Sequence, residues 1–107
     1  MLESKQDERL TEELLGWVKN YLDITWSDSD TDAKVRGIVL RGMTFLDHIA
    51  GQDLSFGEGD TATQLLMDYA RYNRAGTLQN FARDFQGELL SLHFVGEVEN
   101  NGTDAAQ

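Results

Sequence analysis

Apolar residues recur along this chain at the three- and four-residue spacing of helices, and they do so in four blocks separated by polar or glycine-marked turns. The first block is LTEELLGWVKNYLD, residues 10–23. Thr11 is the expected N-cap, with Glu12 and Glu13 where the helix dipole favours negative charge, and Leu10 and Leu15 stand at the spacing of a hydrophobic staple. Leu14, Leu15, Trp17, Val18, Tyr21 and Leu22 then fall within roughly 160° of arc, the broad stripe of a core-facing helix. Trp26 follows in the turn.

The second block starts in SDSDTDAK and runs through VRGIVLRGMTFLDHIAG. Its apolar face is Val35, Ile38, Val39, Gly42, Met43, Phe45, Leu46, Ile49 and Ala50, with Arg36, Arg41, Asp47 and His48 outside it. Gly51 is the expected stop. Gly37 and Gly42 should each cost the helix about 1 kcal/mol relative to alanine. Because Gly42 lies on the apolar face, it marks a point of close packing. The connection QDLSFGEGDT leads to a third helix capped by Asp60 and closed by Gly76, with Ala62, Leu65, Leu66, Tyr69, Tyr72 and Asn73 on its face. Met67, Arg71 and Arg74 point elsewhere. The fourth block, TLQNFARDFQGELLSL, aligns Leu78, Phe81, Ala82, Phe85, Leu89 and Leu92 and leaves Leu90 and Phe94 on a second flank, an exposed apolar patch.

The pattern predicts an all-α fold: a small bundle of about four helices in a single domain over residues 1–95, a flexible loop between helices 2 and 3, and a mobile tail over residues 96–107. With 107 residues and 40% hydrophobic content, the chain suffices for one modest core. The absence of cysteine removes disulfides, thiolate metal sites and thiol nucleophiles. No apolar run approaches the roughly 20 residues of a membrane span. MLESKQDERL lacks the basic start and apolar stretch of a secretory signal, so the expectation is a soluble, intracellularly made protein.

Charge changes the picture most. The net charge is −10, and the two halves, residues 1–53 and 54–107, each carry −5, so neither is a basic footprint for nucleic acid. Tyr69, Arg71, Tyr72 and Arg74 have the residue types to stack bases and hold phosphates, but both tyrosines share the leucine face. Other chemical signals are thin. Asp28, Asp30 and Asp32 have the opening spacing of a calcium loop, yet Ala33 stands where glycine is needed and Val39 where the bidentate glutamate is needed. An acidic helix start accounts for them better. The GEG of residues 57–59 lacks the lysine of a phosphate loop. His48 and His93 fit no metal or triad spacing, and Ser55 and Ser91 belong to no catalytic pattern, so no cofactor, metal or enzymatic activity is expected.

One resemblance is more particular. LLMDYARYNRA with FARDFQGELLSL downstream, preceded by VRGIVLRGMTFLDHIAG and an acidic loop, resembles the small head-tail connector proteins of long-tailed bacteriophages, also called adaptor or head completion proteins. The likeness covers roughly residues 10–94. It implies a non-enzymatic virion subunit that forms a homo-oligomeric ring with the portal's symmetry at the head-tail junction, made in the bacterial cytoplasm. Such a ring links the portal protein to a stopper or tail completion protein, while double-stranded DNA passes through as cargo. Under that reading Leu65, Leu66, Tyr69 and Tyr72 hold the core. Helical geometry then offers Leu40, Asp68, Arg71, Arg74, Leu90 and Phe94 as candidate interface residues. Arg71 and Arg74 are expected to pair with carboxylates such as Asp68 and Asp84, leaving an acidic surplus toward the channel. The competing class is a small acidic helical protein-binding regulator of phage or prophage origin, and a nucleic-acid module would need the arginines to converge.

Overall fold

A computed structural model describes residues 4–94, with side chains from Thr11 onward. Within them the chain forms an all-α bundle with no strand. Helix α1 is Ser4–Tyr21, α2 is Ser29–Ala50 and α3 is Thr61–Arg74. A 3₁₀ turn, Leu78–Asn80, runs into the short α4, Phe81–Asp84, and α5 covers residues 86–94. The expected tail, residues 96–107, and the side chain of Leu10 with its staple lie outside the described residues.

The first three helices pack on one another, and each is ended by the same device. A residue in the left-handed region follows the helix, and two backbone bonds run back to its last turn. For α1 this residue is Asp23, with φ 60°; Asp23 N–H reaches Asn20 O at 3.2 Å and Ile24 N–H reaches Lys19 O at 2.8 Å. Gly51 closes α2 and Gly76 closes α3 in the same way, the second through Thr77 N–H to Tyr72 O at 2.9 Å. This satisfies helix-end carbonyls and turns the next residue inward, which is why Ile24 is buried.

Two boundaries differ from the sequence expectation. Helix α1 begins seven residues ahead of Thr11, because SKQDERL has no glycine or proline and propagates a helix readily. Thr11 is therefore a buried interior residue in line with Leu14, Leu15 and Val18, and not an N-cap. The fourth block is broken at Phe85, whose φ of −111° and ψ of 25° lie in the bridge region. The break gives five α-helices where four were expected. It sets Phe85 against Tyr72 and Phe81, with ring centroids 5.6 Å and 5.0 Å away.

The core joins Leu14, Val18, Val35, Val39, Leu46, Leu66, Phe81 and Leu89 in one cluster. Its tightest point is Gly42. A methyl group there would stand 2.5 Å from Leu66 Cδ1 and 2.9 Å from Tyr69 Cδ1, so α2 and α3 meet where only hydrogen fits. Asp28 caps α2 as an acidic helix start should: its Oδ2 accepts from Thr31 N–H at 3.0 Å and from Thr31 Oγ1 at 2.9 Å.

The loop after α2, expected to be flexible, is fastened at both ends. Phe56 plugs into the core with no exposed surface, at φ 50°. Leu54 N–H donates to Asp47 Oδ1 at 2.9 Å, Gly57 N–H to Asp60 Oδ2 at 2.8 Å, and Thr63 Oγ1 to Gly57 O at 2.7 Å. Asp60 precedes α3 as expected but spends its carboxylate on the loop and not on the helix.

Gly42→Ala should lower the unfolding free energy by about 1–3 kcal/mol, because overpacking against Leu66 and Tyr69 outweighs the helix-propensity gain. Gly16→Ala, where the added methyl meets nothing within 4 Å, should raise stability by up to about 1 kcal/mol. Urea unfolding of both variants beside the wild type reads the opposite signs directly.

Candidate functional site

The segment Leu65–Gly76, with its tyrosines and arginines, resolves into a packing unit. Tyr69 is buried between Phe45, 5.8 Å away, and Phe81, 5.6 Å away. Tyr72 meets Phe81 and Phe85 edge-on, and its hydroxyl donates to Asp84 Oδ2 at 2.7 Å. That bond raises the Tyr72 pKa and, with Arg83 beside it, holds Asp84 below the usual carboxylate range. These rings anchor the end of the bundle on α3 and present no stacking face to bases.

Asp68 was a candidate interface residue, and the structure corrects this. It is 7% exposed, and its Oδ1 accepts the Tyr21 hydroxyl of α1 at 2.7 Å. Gln64 Nε2 and Arg71 Nη2 approach the same carboxylate, both at 3.4 Å. The Asp68 bond is the chief cause that raises the Tyr21 pKa. Buried and spent within its own chain, Asp68 joins α1 to α3.

The arginines divide. Arg71 leans on Asp68 as expected and lies over the Tyr72 ring at 4.9 Å. Asp84 is taken by Tyr72 and by Arg83, 3.2 Å away, and not by Arg74. Among the described residues Arg74 makes no ion pair or hydrogen bond and stays exposed at the end of α3. Elsewhere Arg36 grips Glu12 with two bonds of 2.7 and 3.1 Å, and Lys19 meets Asp32 at 2.6 Å. Of the three aspartates with calcium-loop spacing, Asp28 is thus a cap and Asp32 an ion-pair partner, and Asp30 is exposed in the first turn of α2.

Leu40, Leu90 and Phe94 are all about half exposed, as a spare apolar flank requires. They do not form one surface. Leu90 lines a groove of about 420 Å³ with His48, Ile49, Ala82, Gln86, Leu89 and His93, between the end of α2 and the α4–α5 arm. His93 Nδ1 lies 2.9 Å from Ile49 O and ties the arm down, while Phe94 sits beside the His93 ring. Leu40 is eight residues up α2 from His48, roughly 12 Å away along the helix, and belongs to a different surface. The pattern of spacing found this flank but not the convergence of both histidines on it, since His48 and His93 come from separate helices.

A second concavity, of about 280 Å³, lies between α1 and α3 and was not foreseen. Trp17, Asn20 and Tyr21 line it from α1, Thr63 and Met67 from α3, and Glu58 and Gly59 of the loop complete the lining. Trp17 and Tyr21 are four residues apart, as are Thr63 and Met67, so each wall is one helix face. Part of the signal was present in Trp17 and Tyr21 at the margin of the α1 stripe; Met67 lies well off the α3 stripe and gave none.

No helix among the described residues is long and apolar enough to cross a membrane. Comparison with known proteins finds no matching family model, curated protein or solved structure.

Two measurements check these placements. Asp68→Ala should lower the stability of the protein by about 1–3 kcal/mol, since it strips a charged acceptor from Tyr21; an unchanged melting curve would return Asp68 to the surface contacts. Duplex DNA titrated at low salt should show no micromolar binding, and Arg71→Ala with Arg74→Ala should change nothing. Lys19, Arg36, Arg71 and Arg83 already face carboxylates, and with a net charge of −10 the chain as a whole repels a phosphate backbone.

Proposed function

We propose that this protein is a non-enzymatic connector subunit of a tailed-phage virion. It forms a ring at the head-tail junction between portal and stopper or tail completion protein, and genomic DNA passes through it. The observation that carries the reading is the resemblance block itself. LLMDYARYNRA and FARDFQGELLSL fold into one unit, the Tyr69–Tyr72–Phe81–Phe85 cluster, which fixes the α4–α5 arm and its half-exposed Leu90 and Phe94 on the end of the bundle.

A ring requires two different faces per subunit that fit one another. Leu40 on α2 and the Leu90 groove supply apolar surface in two separate places, which suits a head-to-tail contact better than one self-complementary patch. The acidic body suits a conduit, because a wall of net negative charge has no grip on phosphate, although screening limits its reach to about 8 Å at physiological salt. Arg71 is neutralised within the subunit, and Arg74 is left for a neighbour.

Negative-stain images of purified portal mixed with this protein should show an added closed ring. Leu90→Asp with Phe94→Asp should abolish that ring while leaving the helical circular dichroism intact. A protein that stays monomeric or dimeric and adds no density to the portal would overturn the connector reading in favour of the acidic regulator.

A further inference from the structure

We infer that the concavity between α1 and α3 is a receptor for an arginine side chain presented by a partner protein. Its walls supply an indole from Trp17, a phenol ring from Tyr21 and a thioether from Met67, and Glu58 of the loop before α3 also lines it. Aromatic faces attract cations through their quadrupoles, and a guanidinium adds a planar fork that matches a carboxylate while it stacks on a ring. Trp, Tyr and Met are also the side chains enriched where proteins anchor one another.

The local charges leave one acid for the guest. Asp68 is occupied by Tyr21 and Arg71, and Asp60 by Gly57 N–H and Ser55 Oγ. Lys19 is drawn away to Asp32. Glu58, among the described residues, makes no hydrogen bond or ion pair. An unpartnered carboxylate among the lining of an aromatic groove, on a chain of net charge −10, complements a cation. At about 280 Å³ the space falls just below the roughly 300–1,000 Å³ of cofactor and drug-sized sites, so it suits a single side chain.

This inference stands apart from the connector reading, and its test needs no ring. In full-length protein carrying Trp26→Phe, Trp17 is the only indole, and its fluorescence reports the groove. N-acetyl-arginine amide, titrated at constant ionic strength into the millimolar range, should give a saturable change, whereas the uncharged N-acetyl-citrulline amide should give none. Glu58→Gln lies at an exposed loop tip, should leave the circular dichroism unchanged, and should weaken the arginine probe roughly fivefold. Equal responses to both probes, no saturation, or no effect of Glu58→Gln would overturn the assignment. Tighter binding of tetramethylammonium would reassign the groove to a free small cation. Self-association in sedimentation that is removed both by Glu58→Gln and by Arg41→Ala or Arg74→Ala would mean that a second copy supplies the arginine, which also overturns the inference as stated.

Discussion

The approach of α2 to α3 at Gly42 is the constraint on which the rest depends. With Leu66 and Tyr69 occupying the space of a missing side chain, the two helices lie closer than any larger residue would permit. That proximity brings Phe45 of α2 to Tyr69, and Tyr69 and Tyr72 then form the seat on which Phe81 and Phe85 rest. The α4–α5 arm makes little sense without that seat, since α4 alone is a single turn and a helix so short has no stability of its own in water. The groove at the end of α2 is therefore a product of packing two elements away.

The second organising feature is electrostatic economy. A chain with twice as many acidic as basic residues uses its few cations as ties: Lys19 and Arg36 between α1 and α2, and Arg71 on the carboxylate that joins α3 to α1. The exposed one of these, Arg36–Glu12, is worth little in stability, typically under about 1 kcal/mol. The larger effect of these ties is on surface character, because each one leaves less free positive charge to attract a polyanion.

How much of this was readable from the sequence depended on distance along the chain. The helix faces, the acidic start of α2, the Gly51 and Gly76 stops and the tight packing at Gly42 were legible, because each is decided by residues within a turn or by the periodicity itself. Asp68 was misplaced because its partner Tyr21 is 47 residues away, and nothing local distinguishes a buried aspartate from a surface one. The break at Phe85 escaped notice because the apolar spacing runs smoothly through it; only Gly87 hinted at a weak helix. Phe56 was the clearest missed signal, a single large apolar residue in an otherwise polar, glycine-rich loop. The groove between α1 and α3 needed tertiary structure outright, for its lining comes from two helices and a loop.

That loop is held on one side by Phe56 in the core and on the other by Asp60 through Ser55 and Gly57, while Glu58 and Gly59 at its tip carry no packing duty. A segment anchored at both flanks and idle in the middle behaves as a cassette. Its tip can be rewritten in charge at Glu58 with little disturbance to the bundle, so related chains could diverge in what they recognise while keeping an identical frame. An engineer could do the same by exchanging Glu58 alone, because Gly59 holds the turn at φ 82°, where a side chain would be strained.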